Sequence, residues 1–382
     1  MTSTTAIVAR QPKELMKPNW SLEQVNITAP GDDEILVEVH AAGICHTDIL
    51  LSSVPAGTFH VQYPKVVGHE GAGIARAVGK NVQSVSPGDP VLLSFSSCAS
   101  CIQCQDSHPA YCDTFAQRNY LGAQKTMTMS SDSEDQKVWS QFFGQSSFAK
   151  HSIVHKSSVV NAKDLIQDLD ELKLFAPLGC GLQTGMGAIQ NIANAGPGDV
   201  VLITGLGAVG MGSLMTAAIV GCKTIIAVDR VQSRIDLAKQ LGATHTIDTS
   251  EPGFTTLDVA TWNIVPPGVS IAIDTTGVPS IIEQSLQATR ARGKMVLVGV
   301  PSPAYKLGIH ASAHINSGRA VFGCIEGDCD PQIAIPQLIK WYREGKFPID
   351  LFVQYFHAPD YESAIHGLKT GEVIKPVLVW KH

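Results

Sequence analysis

Residues 198–230 read GDVVLITGLGAVGMGSLMTAAIVGCKTIIAVDR, and this stretch decides the fold of one half of the chain. An apolar run, VVLIT, leads straight into GLGAVG. A helix-compatible run of small residues follows, and a second apolar run, TIIAVD, closes on Asp229. Strand, glycine turn, helix and strand in that order form the nucleotide-binding half of a doubly wound sheet. Gly205 permits the tight turn, Gly207 lets the backbone come up to a pyrophosphate, and Gly210 allows the helix to pack closely on the strand. Ala208 and Val209 complete the turn, where free N–H groups and a positive dipole end suit phosphate oxygens. Asp229 is placed to accept hydrogen bonds from the adenosine ribose and would repel a 2'-phosphate, so NAD is preferred over NADP. Arg230, next in the chain, argues the other way. A glycine turn that merely packs is the alternative for a lone motif, and here the acidic residue in register argues against it.

Working outward, the runs THTID, SIAIDT, MVLVGV (ending at Val300) and RAVFGC continue the alternation of short apolar strands with helical segments to about residue 328. That pattern predicts a parallel sheet covered by helices on both faces. Residues 1 to about 178 have another texture, with short β-branched runs such as EILVEVHAAG and GAGIARAVG broken by Gly and Pro, which predicts a strand-dominated domain. The polar stretch from Gln117 to Trp139 reads as a surface excursion. After Asp328, PQLIKWYREGKFP reads as a helix and VIKPVLVW as a closing strand that returns to the first domain. The expected division is therefore 1–178, 179–328 and 329–382.

Size and composition agree with two domains. The chain has 382 residues, of which 44% are hydrophobic and only 16% charged, with a net charge of -6. It offers no broad basic face to a nucleic acid. The N-terminus lacks the basic and apolar pattern of a secretion signal, and no apolar run is long enough to span a membrane. These features predict a soluble cytoplasmic protein whose thiols stay reduced.

Four of the nine cysteines fall within CASCIQCQDSHPAYC, residues 98–112. Cys98, Cys101, Cys104 and Cys112 have the spacing C-x2-C-x2-C-x7-C and can wrap one tetrahedral zinc, a closed site that would hold a loop with little core. Scattered thiols and an iron–sulfur cluster are the other readings. A second set of donors is dispersed: Cys45 in GICHTD, His69 in GHEGAG and Cys180 in PLGCGLQTG. Two sulfurs and an imidazole would leave a fourth position open on a catalytic zinc. Spacing alone does not bring them together; singly, they read as buried thiols and a loop histidine.

Taken in order, GICHTD, GHEGAG, the four-cysteine loop, PLGCGLQTGMGA, GLGAVG with VDR, and IKPVLVW resemble the zinc-dependent medium-chain alcohol dehydrogenases over essentially the whole chain. FFGQSSFA, CGLQTGMGA, AVDRVQSRIDLAKQLGATH and YREGKFPIDLFVQYF are most similar to the benzyl (aryl) alcohol dehydrogenase branch. The resemblance implies a β-rich GroES-like catalytic domain beside the Rossmann-type domain, two zinc ions per chain, and NAD. It implies that Cys45, His69 and Cys180 bind catalytic zinc, with Glu70 behind the metal and able to join it when the exchangeable ligand leaves. Asp48 would orient a ligating histidine, and Thr47 would hydrogen-bond the reacting oxygen. His46 and Lys375 would face the pyrophosphate, Thr184 the nicotinamide, and Asp229 and Arg234 the adenosine ribose, with Val300 also among the cofactor contacts. The implied reaction interconverts a primary alcohol, aromatic or allylic, and its aldehyde, in a homodimer or homotetramer. A biosynthetic aldehyde reductase using NAD(P)H and a non-catalytic dinucleotide-binding scaffold are the alternatives. Leu50 departs from the family pattern, standing where many relatives carry a histidine that ends the proton relay; His60 or water is the expected substitute.

Overall fold

The computed structural model describes residues 2–130 and 136–382. The chain divides into two compact units, one of residues 1–180, 330–340 and 348–382, the other of residues 181–329 and 341–347.

The second unit is built on a six-stranded parallel sheet. Its order is His245–Asp248, Thr224–Asp229, Val200–Thr204, Val269–Asp274, Thr289–Leu297 and Ala320–Gly323. Strand order reverses on either side of Val200–Thr204, the strand that feeds the glycine turn, and ligands bind at such switch points in open α/β sheets. Leu202, Ile226, Val228, Ala272 and Met295 form the core of this sheet with Ile282 and Leu286 of helix Pro279–Ala288. The central strands Val200–Thr204, Thr224–Asp229 and Val269–Asp274 are buried along nearly their whole length, as expected of strands covered by helices on both faces.

Small residues let helix Ala208–Ile219 pack tightly on helix Gly181–Gly187. A Cβ at Gly185 would lie 2.3 Å from the Val209 carbonyl oxygen and 2.7 Å from the Ser213 nitrogen. Gly185 of CGLQTGMGA is thus required by close backbone approach, and so is Gly187, where a Cβ would lie 1.9 Å from the Gly327 carbonyl oxygen.

The first unit is antiparallel in character. Thr2–Arg10, Asn19–Ile27, Ala123–Met129, Lys137–Ser140 and Lys65–Val66 close into a small barrel. A seven-stranded sheet runs Val159–Asn161, Pro90–Leu93, Gly71–Val78, Glu34–Gly43, Lys375–Val379 and Val353–His357, with His151–His155 also paired to Glu34–Gly43. The expected strand near the end of the chain is there, and Val377, Leu378 and Val379 pair with Gly43, Ala42 and Ala41.

The surface excursion expected over 117–139 is corrected. Ala123–Met129 and Lys137–Ser140 pair antiparallel as barrel strands, with Met127 opposite Val138 and both buried. Thr126, Met127 and Met129 are buried there, and Met, which lacks a β-branch, conceals a strand that Val or Ile would have announced. The middle of that stretch, residues 131–135, lies outside the described residues. Among the described residues no helix is long and apolar enough to cross a membrane.

Candidate active site and metal centres

Strand Glu34–Gly43 delivers the first donor. It ends one residue before Ile44, and Cys45 then precedes the short helix His46–Leu51. Asp48, three residues on, accepts a hydrogen bond from the Cys45 backbone N–H at 2.9 Å through Oδ2, which caps the helix start. The other oxygen, Oδ1, accepts from the Gly68 N–H at 3.0 Å and lies 2.8 Å from Nδ1 of His69. Asp48 and His69 are both fully buried. A carboxylate can only accept, so the His69 proton sits on Nδ1 and the Nε2 lone pair is free for a ligand.

That lone pair points at sulfur. His69 Nε2 is 3.2 Å from Cys180 Sγ, and donor atoms of Cys45, His69, Glu70 and Cys180 all lie within 4.8 Å of one another. A hydrogen bond with Cys180 holds the Cys45 thiol well below its usual range, against the opposing effect of burial. Two sulfurs, one already drawn toward the thiolate, and an imidazole oriented by a carboxylate fit the donor set of zinc. Dispersed in sequence over 135 positions, these side chains converge in space.

Glu70 is fully buried and its carboxylate is held by Lys375, whose Nζ lies 2.9 and 2.8 Å from the two oxygens and 3.2 Å from the Ile44 carbonyl. Burial raises the Glu70 pKa while Lys375 opposes that rise. Burial disfavours the charged Lys375, yet the Glu70 charge outweighs it and pushes the ammonium up to about 12. The family resemblance implies a pyrophosphate contact for Lys375; in this structure its ammonium pairs with Glu70.

Two features of this neighbourhood were not legible as site residues. Phe143 stacks on the His69 ring at 4.4 Å between centroids, and Phe142 meets the same ring edge-on at 5.6 Å. Gln145, also fully buried, donates to the carbonyls of His69 (2.8 Å) and Ser94 (2.9 Å) and accepts from Gly71 N–H. Both belong to the turn Gln141–Gly144 and its continuation, where Gln141 and Phe143 have φ of 56° and 53°. FFGQ carries a signal only as a break between strands. Of the remaining expected residues in this unit, His46 is exposed, and Thr47 and Leu50 are half-buried on the same short helix. His60 is exposed, with φ of 64°.

The four-cysteine loop also gathers as expected. Donor atoms of Cys98, Cys101, Cys104 and Cys112 lie within 4.8 Å of one another, and none of the nine cysteines forms a disulfide. Hydrogen bonds from Ser100, then from Cys101, hold the Cys98 thiol down to about 5. Four sulfurs on one loop, one of them favoured as thiolate, again suit zinc.

In the second unit the glycine turn separates into three physical roles. Gly205 has φ of 84°, where an L side chain is strained. A Cβ at Gly210 would lie 1.8 Å from the Gly205 carbonyl oxygen. At Gly207 a Cβ would meet nothing within 4 Å, so this glycine is required by neither backbone angle nor packing, which fits a surface kept bare for a ligand. Asp229 Oδ2 accepts from the Leu206 N–H at 2.6 Å, and Oδ1 from the backbone N–H groups of Arg230 and Val231. These bonds fasten the second strand to the glycine turn and fill three of about four lone-pair positions. Burial lowers the Arg234 pKa, and the Asp229 charge opposes that. Ala208 and Val209 begin helix Ala208–Ile219, Thr184 is buried in helix Gly181–Gly187, and the Val300 side chain is exposed.

Known proteins place this geometry in context. Residues 31–164 match the alcohol dehydrogenase GroES-like domain and residues 208–344 the zinc-binding dehydrogenase domain. The chain is 37% identical to geraniol dehydrogenase of Castellaniella defragrans over 361 residues, 94% of each protein. Its fold superposes on an alcohol dehydrogenase zinc-binding domain protein from Burkholderia ambifaria with a TM-score of 0.91 at 36% identity, covering 100% of both chains. Benzyl alcohol dehydrogenase from Acinetobacter calcoaceticus superposes with a TM-score of 0.88 at 34% identity, again covering 100% of both. With its donor clusters and glycine turn in place on this fold, the chain belongs to the zinc-dependent alcohol dehydrogenases of the medium-chain family.

Proposed function

We propose that the protein interconverts an allylic or aromatic primary alcohol and its aldehyde with NAD, using one catalytic and one structural zinc per chain. The convergence of Cys45, His69 and Cys180, braced by Asp48, carries the reading. Those three side chains would hold the catalytic ion and the four-cysteine loop the structural one. When bound, zinc supplies a Lewis acid that lowers the pKa of a coordinated oxygen, and NAD supplies the hydride acceptor. The chain's own residues do the rest. Asp48 fixes the His69 tautomer. Glu70 places a negative charge beside the donor cluster, and Lys375 balances it. The Thr47 hydroxyl would accept a hydrogen bond from the substrate hydroxyl and, as it takes that proton, give up its own, which with Leu50 at the outer position passes to water. Phe142 and Phe143 supply apolar surface next to His69, which favours an unsaturated or aromatic carbon over a small aliphatic one. In the other unit, Gly207 and the start of helix Ala208–Ile219 would receive the pyrophosphate, and the remaining lone pair of Asp229 a ribose hydroxyl. The likeness to geraniol and benzyl alcohol dehydrogenases supports the substrate class.

The flanking Arg230 and Arg234 favour a second reading in which NADP is accepted as well. A steady-state screen of geraniol, benzyl alcohol and ethanol with NAD and with NADP, paired with zinc counting, tests all of this. Higher kcat/KM for the first two alcohols with NAD, and two zinc ions per chain, is the expected outcome. No turnover of any alcohol, or a preference for ethanol, would refute the substrate reading. Light scattering distinguishes the homodimer from the homotetramer that the family resemblance implies.

A further inference from the structure

The geometry points to a third metal site, outside both cysteine clusters, in which His40, His382 and Glu38 bind a divalent transition ion of the nickel or zinc class. Glu38 and His40 lie two apart on strand Glu34–Gly43 and so share one face of the sheet. The segment after strand Lys375–Val379 lays His382 over them, with its ring centroid 4.6 Å from that of His40. One donor atom from each of the three residues falls within 4.8 Å of the others. The side chains are only 13%, 19% and 16% exposed, so a bound ion would be shielded yet reachable.

Hydrogen-bond bookkeeping favours a cation here. His382 Nε2 donates to the Val39 carbonyl at 2.9 Å, so in the neutral ring the lone pair is on Nδ1. That lone pair lies 3.8 Å from Glu38 Oε1, a pair of facing acceptors that a metal ion or a proton on Nδ1 can bridge. His40 Nε2 lies 3.2 Å from the same oxygen. Binding requires His40 only to carry its proton on Nδ1 instead, so no proton leaves. Arg76 takes one lone pair on each Glu38 oxygen, at 2.8 and 3.1 Å, leaving the others for a ligand. A third histidine, His151, sits 3.7 Å from Oε2 and is itself held by Thr4, so it helps aim the carboxylate. Two imidazoles and a carboxylate suit nickel or zinc better than magnesium or calcium. The Arg76 charge makes the site weaker than the thiolate clusters, so its ion exchanges freely.

The test uses the holoenzyme in equilibrium dialysis against Ni2+, counting nickel and zinc together by mass spectrometry. The wild-type chain should take up about one nickel with its zinc content unchanged, and nickel should raise its melting temperature. His40→Ala and His382→Gln should each abolish the uptake and the melting shift while leaving alcohol oxidation intact. His382→Gln alters a residue beyond the last strand, so it keeps the test valid if His40→Ala folds poorly. Equal nickel uptake by wild type and His382→Gln, no uptake by wild type, or uptake matched by zinc loss would each overturn the proposal.

Discussion

Replacing Asp48 with asparagine is the sharpest probe of the catalytic cluster, because it changes one oxygen to nitrogen and almost nothing in volume. The carboxylate accepts three hydrogen bonds, from Cys45 N–H, Gly68 N–H and His69 Nδ1–H. An amide has one accepting oxygen. With that oxygen toward Gly68 and His69, the NH2 group confronts the Cys45 N–H; turned over, it confronts the other two donors. Either way a buried donor faces a donor. Loss of one hydrogen bond to a charged group costs about 1.5–3 kcal/mol, which at about 1.4 kcal/mol per factor of ten is roughly a 10- to 150-fold effect. In the turned-over arrangement His69 also moves its proton to Nε2 and loses its ligand lone pair. We therefore expect Asp48→Asn to lose kcat/KM and zinc affinity by ten- to a hundredfold, with the structural zinc retained. Stopped-flow chelator competition resolves the two metals and steady-state kinetics gives the rest. A variant within twofold of wild type in both would show that the Asp48–His69 contact does not orient the ligand.

Three further outcomes follow from other contacts. Lys375→Met leaves the buried Glu70 carboxylate without its partner, and urea unfolding should show a loss of about 3–5 kcal/mol that Glu70→Gln/Lys375→Met largely restores; a single variant within about 1 kcal/mol of wild type would refute the pairing. Lys65 is fully buried over the Phe142 ring with the Tyr120 carbonyl as its hydrogen-bond partner, and burial pulls its ammonium down to about 7. Below pH 7 both folded and unfolded chains are protonated and the burial cost is complete. Between pH 7 and about 10 the folded chain sheds the proton first, so wild type should gain on Lys65→Met by about 1.4 kcal/mol per pH unit, and a difference that stays flat between pH 7 and 9 would count against it. Finally, Gly207→Ala should fold normally but raise KM for NAD at least about tenfold by occupying ligand space, whereas Gly210→Ala should lose thermal stability; equal stability of the two variants would contradict the roles assigned to these glycines.

The parts of this molecule that could be read from the chain are those where one local pattern has one physical solution. VVLITGLGAVG admits little besides a strand, a left-handed turn at Gly205 and a helix, and four cysteines within fifteen positions have few ways not to meet. Convergence of Cys45, His69 and Cys180 is different in kind. Nothing local brings them together, and the sheet pairings that do so connect segments far apart; resemblance supplied that expectation, and the fold supplies the cause. The barrel strand Ala123–Met129 is hard to read because polar residues flank it and its buried Met127 and Met129 carry no β-branch. Phe142, Phe143 and Gln145 escaped because a left-handed turn aims them, and aromatic or amide side chains in a loop give no hint of direction. Nothing in the charge pattern around Lys65 announces a lysine that is fully buried.

The Glu70–Lys375 pair joins residues 305 positions apart. On the ribosome, Cys45, His69 and Cys180 emerge long before Lys375, and for that interval the acid beside them has no counterion. The cluster is thus finished by the last strand in chain order among the described residues. A chain that stopped short of that strand would keep all three donors yet leave the Glu70 charge beside them without the Lys375 ammonium, so the charge balance of the cluster is set only when the C-terminal strand docks.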